Sequence, residues 1–426
     1  MKYACRLAFL FLWPVAGHPA ADETAMAPTA LPSTIPVAGH PAADETAILQ
    51  PVVSESIQYD SNLFYLSSGA NALSLQPGSS KSDLMNQISA GLIVNYPFGR
   101  QKLLLNLLVS DNRFVNNQFL DNISTDDRAD WIWEIGKELS GDAGYSYKHA
   151  LSQSAYIQQP IKNIVTSDNA FLNANYAWHP NWKVSAGANW SEYTNSNKSR
   201  QIYNYQTTLG QIGLRYVSPS ENSVGIEYIF QNYDYLNRSP DLINLIDNRF
   251  NINTVNALLN WKATNKIDLD GKIGYTILQN GHFSERDFIG ATWSLGLSWS
   301  ATAKTQFSLL TSRGLFSSQT SYGSYVIVDT VGFMSTWTMS SKMTIKGNIS
   351  YITYDYAGIP ILVKTLLSNT QNSRNDTQFI GKTEVIYEPI RNAEVKLTLI
   401  ANKRDSTVPS ADFLDYTVFA SASWIF

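Results

Sequence analysis

The chain has 426 residues, a formal net charge of −4 and 15% charged residues, against about 25% in an ordinary soluble domain. This balance excludes a broad basic surface for nucleic acid, and no Lys/Arg run or zinc-ligand spacing points that way. A single cysteine, Cys5, lies in a removable leader, so the mature fold must close without disulfides.

Residues 1–21 read as a secretory signal, with Lys2 and Arg6 ahead of an apolar run from Leu7. That run is shorter than the ~20 residues a spanning helix needs. The segment PVAGHPAADETA then occurs twice, at 14–25 and 36–47. The Ala/Pro-rich stretch 22–53 has neither a strand nor a helix period and is expected to be a disordered periplasmic lead. His18 and His40 occupy identical contexts, which marks a duplicated segment, not a metal site. No later stretch resembles a membrane helix, so any spanning is done by strands.

From Ser54 to Phe426 apolar and polar residues alternate in runs of about ten to fourteen. LLLNLLV (103–109), WKVSAGANW (182–190), VGIEYIF (224–230), IDLDGKIGYTI (267–277), WSLGLSW (293–299) and VKLTLIA (395–401) show it. Short connections are read at 96–101, 139–143, 178–182, 218–222, 262–266, 300–304, 339–342 and 388–392. They alternate with longer polar ones, among them 66–82, 116–127, 156–167, 237–247 and 357–374. Short turns on one side and long loops on the other predict an all-β, transmembrane antiparallel up-and-down β-barrel over 54–426. It would have about 18 strands and both ends on the short-turn side. In lipid every backbone group must be bonded within the protein, and strands achieve this only in a closed sheet. Trp178, Trp182, Trp190, Tyr193, Trp261, Trp299, Trp337 and Tyr387 are expected in interfacial girdles. A soluble sandwich or propeller is disfavoured, because no 40–50-residue repeat is present.

The last strand, DYTVFASASWIF (415–426), is expected to pair with SIQYDSNLFY (56–65) and close the cylinder. Its outward aromatics Trp424 and Phe426 resemble the signal read by the outer-membrane barrel-assembly machinery. Alternation places Lys102, Lys148, Lys183, Arg215, Lys272, Lys346, Lys382, Lys396 and Arg404 in the lumen, with Glu134, Glu227, Asp268, Asp270 and Glu384. Nine cations against five carboxylates predict a modest positive bias, attractive to an anionic polymer. Inward Tyr233 and Phe419 are candidates for stacking on sugar rings, and 66–82 or 357–374 for a constriction loop. Catalysis at the rim would need a histidine with a partner. His282 lies beside Ser284 and Glu285, His149 lies close to Ser152 and His179 sits in a turn before Pro180. No G-x-S-x-G and no metal-ligand spacing accompanies them, so rim catalysis is the least favoured reading. No enzyme activity, metal or cofactor is expected.

The first third resembles the EpsL family of outer-membrane proteins associated with exopolysaccharide biosynthesis. The stretches that carry the resemblance are YDSNLF (59–64), SAGLIVNYPFGRQKLLLN (89–106), NNQFLDN (116–122), WIWEIGKELSGDAGYSY (131–147) and WHPNW (178–182). The resemblance implies a Gram-negative outer-membrane barrel, with periplasmic termini, that carries a polysaccharide outward. Its partners would be that polymer, outer-membrane lipid and periplasmic or inner-membrane export components. A general or small-solute porin and a barrel-anchored surface scaffold are the alternatives.

Overall fold

In the computed structural model, which describes residues 48–72, 76–152, 158–240, 247–320, 323–357 and 374–426, eighteen strands form one sheet. They are β1 Leu49–Asp60, β2 Asp83–Phe98, β3 Gln101–Phe114, β4 Asn122–Ile135, β5 Leu139–Leu151 and β6 Ile164–His179. Next come β7 Trp182–Asn195, β8 Tyr205–Val217, β9 Ser223–Tyr235, β10 Arg249–Thr264, β11 Ile267–Asn280 and β12 Phe288–Trp299. The ring is completed by β13 Thr305–Thr320, β14 Gly323–Thr338, β15 Met343–Ala357, β16 Asn375–Ile390, β17 Ala393–Ser406 and β18 Phe413–Ile425. Each strand pairs antiparallel with its neighbour in sequence. β18 returns to β1, with Val52 opposite Ile425 and Asp60 opposite Thr417. The predicted up-and-down barrel is therefore the fold.

The two faces of the wall follow from the period of two. In β18 Asp415, Thr417, Phe419, Ser421 and Ser423 are buried, and Leu414, Tyr416, Val418 and Trp424 are exposed, as is Phe426 just after it. Directly opposed residues share a face, so the registers carry this assignment around the ring. The outward face is an apolar belt that includes Val255, Ile273, Ile289, Ile349 and Leu399. A continuous apolar belt of this size faces lipid. Aromatics cluster at the short-turn rim, where Trp178 stacks on Trp182 at 6.2 Å and Trp182 meets Tyr216 at 5.2 Å. Trp261, Trp299, Trp337, Tyr387 and Trp424 lie outward at the same ends of their strands. Eighteen strands about 4.8 Å apart, tilted about 40°, give a wall ~36 Å across.

Several sequence expectations shift. Residues 1–47 lie outside the described residues, but Leu49–Val53 belong to β1, so the barrel starts before Ser54. Pro51 lacks an N–H yet still serves the closure, its carbonyl accepting from the Phe426 N–H at 3.0 Å. β1 stops at Asp60 and does not continue to Tyr65. The Asn62 N–H turns aside to the Asp60 and Asp415 carboxylates, and Tyr65 has φ +50°. LSGDA (139–143) lies inside β5; the turn is at 136–138, where Gly136 has φ +68°. β4 begins at Asn122, within the stretch read as a loop. Two girdle assignments also change. Tyr193 faces the lumen and stacks on Tyr205 at 5.2 Å. Trp190 is outward but well up the wall from Trp182.

The face assignment is checked by a pair of neighbouring substitutions. Val255→Arg, on the lipid face, is expected to cost about 2–4 kcal/mol of barrel stability. Thr254→Arg, facing the lumen, should cost much less. Urea unfolding of the barrel in phospholipid vesicles measures both.

Candidate functional site: the polar lumen and its inward loop

The registers direct Lys102, Lys148, Lys183, Arg215, Glu227, Asp268, Asp270, Lys272, Lys346, Lys382 and Lys396 inward, with Glu134, Glu384 and Arg404. They also bring in charges that the sequence reading passed over: Arg128, Lys262, Asp60, Asp83, Asp126, Asp130, Asp142, Asp376, Glu394 and Asp415. Among the described residues, the inward charges named here comprise eleven cations and thirteen carboxylates, and the expected positive bias is gone. A signal for the missed group was present. Counting back in twos from outward Trp133 and Trp131 puts Asp130, Arg128 and Asp126 on the other face.

Most of these charges meet a partner at mid-wall. The Lys272 ammonium donates to Glu227 at 3.1 Å, and the Asn256 amide donates to the same oxygen at 3.1 Å. Glu384 lies 3.1 Å from Lys382 and 3.7 Å from Lys346, and Lys396 lies 3.9 Å from Glu394. Arg128 donates to Asp130 at 2.6 Å, and Lys148 stands 3.6 Å from Asp126. Lys262 reaches down to Glu221 in the β8–β9 turn, and its ammonium holds that carboxyl below its ordinary range. Lys183 and Arg215 are directly opposed on β7 and β8. Like charges in that position oppose pairing, so this place in the wall favours anions. Asp268 and Asp270, two residues apart on β11, favour cations.

At the long-loop rim the lumen is narrowed. The β1–β2 connection, L1 (61–82), folds against the inner face of the wall. Its Phe64, Leu66 and Ala72 are buried with inward Met85 and Phe114 and with Leu120. Phe64 stacks near Phe119 at 6.5 Å, and Tyr65 meets Phe413 edge-on at 4.8 Å. Asn62, 1% exposed, holds the loop's foot. Its amide nitrogen donates to the Leu66 and Leu414 carbonyls at 2.8 and 3.1 Å, and its amide oxygen accepts from Leu66 N–H at 2.9 Å. Of the two expected constriction loops, 66–82 thus packs inward at its described residues. The other, 357–374, falls mostly outside them. Tyr233 and Phe419 do face inward, but both are 0% exposed. Tyr233 lies against Phe250 at 4.7 Å, so neither offers a ring face to a sugar.

The histidines are dispersed. His149 is outward and bonds Thr166 at 3.0 Å, and His179 accepts from the Asn181 N–H at 3.1 Å in the β6–β7 turn. His282, in the β11–β12 connection L6 (281–287), is bonded through Nδ1 to Asp247 at 2.8 Å. Asp247 belongs to L5 (236–248), between β9 and β10, and is fully buried. Burial works against its charge. The His282 ring and the N–H groups of His282, Arg249 and Asn248 more than offset this, and the carboxyl lies below its ordinary value. The pair is a clamp between two loops.

No family model and no curated protein matches the chain. Among solved structures, OpdK from Pseudomonas aeruginosa aligns at 9% identity and TM-score 0.45, covering 89% of this chain and 99% of the other. OccK2 (OpdF) from the same organism gives 9% and 0.48, with 89% and 98% covered. A BenF-like porin from Pseudomonas fluorescens Pf-5 gives 8% and 0.46, with 89% and 99% covered.

Glu384→Gln is expected to release Lys346 and Lys382 and to shift reversal potentials toward anions, from a parent pore that discriminates weakly. The loop clamp has its own signature. A carboxyl held below its ordinary value stabilises above about pH 3.9 and loses that contribution as the pH falls further. Limited proteolysis should therefore leave L5 and L6 intact at neutral pH. It should cut them at least ~10-fold faster after Asp247→Ala, which strands several buried N–H groups.

Proposed function

We propose that the protein is a passive pore of the Gram-negative outer membrane for small hydrophilic solutes, with its short-turn rim in the periplasm. The observation that carries this reading is the combination of a nearly charge-balanced polar lumen with L1 packed against the inner wall at its long-loop mouth. Closely spaced ion pairs keep the wall wet without creating a tight site, as a conducting path requires. The loop then sets the size of what passes. Neutral and zwitterionic solutes suit a lumen whose charges nearly cancel.

Export of an exopolysaccharide is the second reading, supported by the EpsL resemblance. Its stretch YDSNLF (59–64) spans the end of β1 and the foot of L1. A polymer would need that loop to leave the mouth, and it would bring in the periplasmic and inner-membrane export components as partners.

Asn62→Ala removes the anchor of L1. Single-channel conductance in planar bilayers should rise about twofold and become noisier. Liposome swelling should admit larger neutral sugars. Unchanged conductance and cut-off would remove L1 as the constriction. Loss of surface polysaccharide on gene deletion, with solute uptake unchanged, would establish the second reading instead.

A further inference from the structure

One seam of the wall differs from the others. Between β12 and β13 the register runs only from Trp299↔Phe307 to Trp293↔Arg313. Nearer the long loops, Phe288–Thr292 keep their partners on β11, from Phe288↔Leu278 to Thr292↔Gly274. Gly314 and Leu315 keep theirs on β14, opposite Val328 and Ile327. Both strands continue, but the ladder between them has stopped. β3 and β4 also lose two pairs, yet there the Asp127 carboxylate accepts the Leu108 N–H at 3.2 Å and patches the wall. Strand edges facing hydrocarbon are costly, and closed barrels exist to avoid them.

Side chains occupy the split. Leu315 and Phe288 pack on the buried inward cluster of Tyr205, Tyr233, Tyr235, Phe250 and Leu278. The Phe288 ring meets Tyr325 of β14 edge-on at 4.8 Å, a contact from β12 that passes over β13. Gly290 forms one lip. A Cβ there would stand 2.3 Å from the Phe288 ring, so the glycine lets that ring lie flat against the backbone. At the foot of the split, on the outward face, Arg313 pairs with Asp329 at 3.5 Å and lies over Trp293 at 5.4 Å. Asp329 offers Arg313 one contact, and a guanidinium carries five N–H donors, so this lipid-facing arginine can still take an anionic oxygen.

We propose that this seam is a lateral portal for a free single-chain amphiphile with an anionic head. Its head would meet Arg313, and its chain would enter between Phe288, Leu315 and Tyr325 toward the aromatic cluster. The portal is a property of the wall and stands whether or not the lumen conducts small solutes.

Cys5 is the chain's one cysteine, so an introduced pair can be read cleanly. Continuing the Trp293↔Arg313 register places Ala291 opposite Leu315. The test uses an Ala291→Cys/Leu315→Cys variant in phosphatidylcholine vesicles, its folding verified by heat-modifiable electrophoretic mobility. It is labelled with diazirine-bearing palmitic acid and mapped by mass spectrometry. Adducts are expected at Phe288 and Tyr325, lost on oxidation and restored by reduction. Arg313→Gln in the otherwise native chain should lower their yield about tenfold. Leu315→Trp, which fills the split without a crosslink, should suppress them if the double variant fails to fold. Three outcomes would overturn the proposal. They are adducts spread evenly over the outward wall, labelling indifferent to the lock or the Trp, and equal labelling by a diazirine-bearing phosphatidylcholine, which would mean ordinary lipid contact.

Discussion

A backbone N–H in hydrocarbon has no water to bond, and every feature of this barrel answers that constraint. It requires β18 to return to β1, and it makes the sheet a cylinder instead of an open layer. It also sets the one-in-two rhythm of the sequence, because a closed wall has one face in lipid and one in water. The ladder from Val52↔Ile425 to Asp60↔Thr417 is thus the joint on which the remaining seventeen depend. Even Pro51 and Phe426, at the fringe of that joint, bond to each other through the one group proline retains.

With the backbone satisfied, the side chains divide the labour by face. Outside, apolar residues and a Trp-rich ring at the short-turn rim hold the cylinder in lipid. Inside, ionic groups are tolerated because the inner face is polar and many of the charges find an opposite within a strand or two. Lys272–Glu227 reaches across β10 from β11 to β9 and Lys382–Glu384 runs along β16, so they reinforce the wall as well as solvate it. The loops finish the mouth by burying polar side chains such as Asn62 and Asp247, each with several hydrogen bonds.

The fold was highly legible in the sequence, because alternation, turn chemistry and strand number are all local. The errors arose where a tertiary contact overrode a local cue. SNLFY has strand composition, but two carboxylates from opposite ends of the chain capture Asn62 and end β1. GD looks like a turn, yet the positive φ belongs to Gly136 three residues ahead of that segment's first residue. The lumen was only half legible. Residues flanked by long clean runs, such as Lys272 and Lys346, could be assigned a face. Arg128 and its neighbours were missed because NISTDDRADW is too polar to look like a strand, and only counting back from Trp131 and Trp133 marks their face. The packing of L1, the His282–Asp247 clamp and the broken β12–β13 ladder join segments far apart in the chain, and no local pattern announces them.

The near cancellation of charge along the inner wall bears on the water itself. A lumen with a strong excess of one sign fills with mobile counter-ions, and under a transmembrane voltage those ions drag solvent with them. Here the fixed charges are nearly matched in number, so little excess counter-ion is recruited and the solvent column stays still. An uncharged molecule inside then drifts only down its own gradient. If the cylinder conducts as proposed, it would be a quiet passage for uncharged molecules, whose movement would not follow the electrical state of the membrane around it.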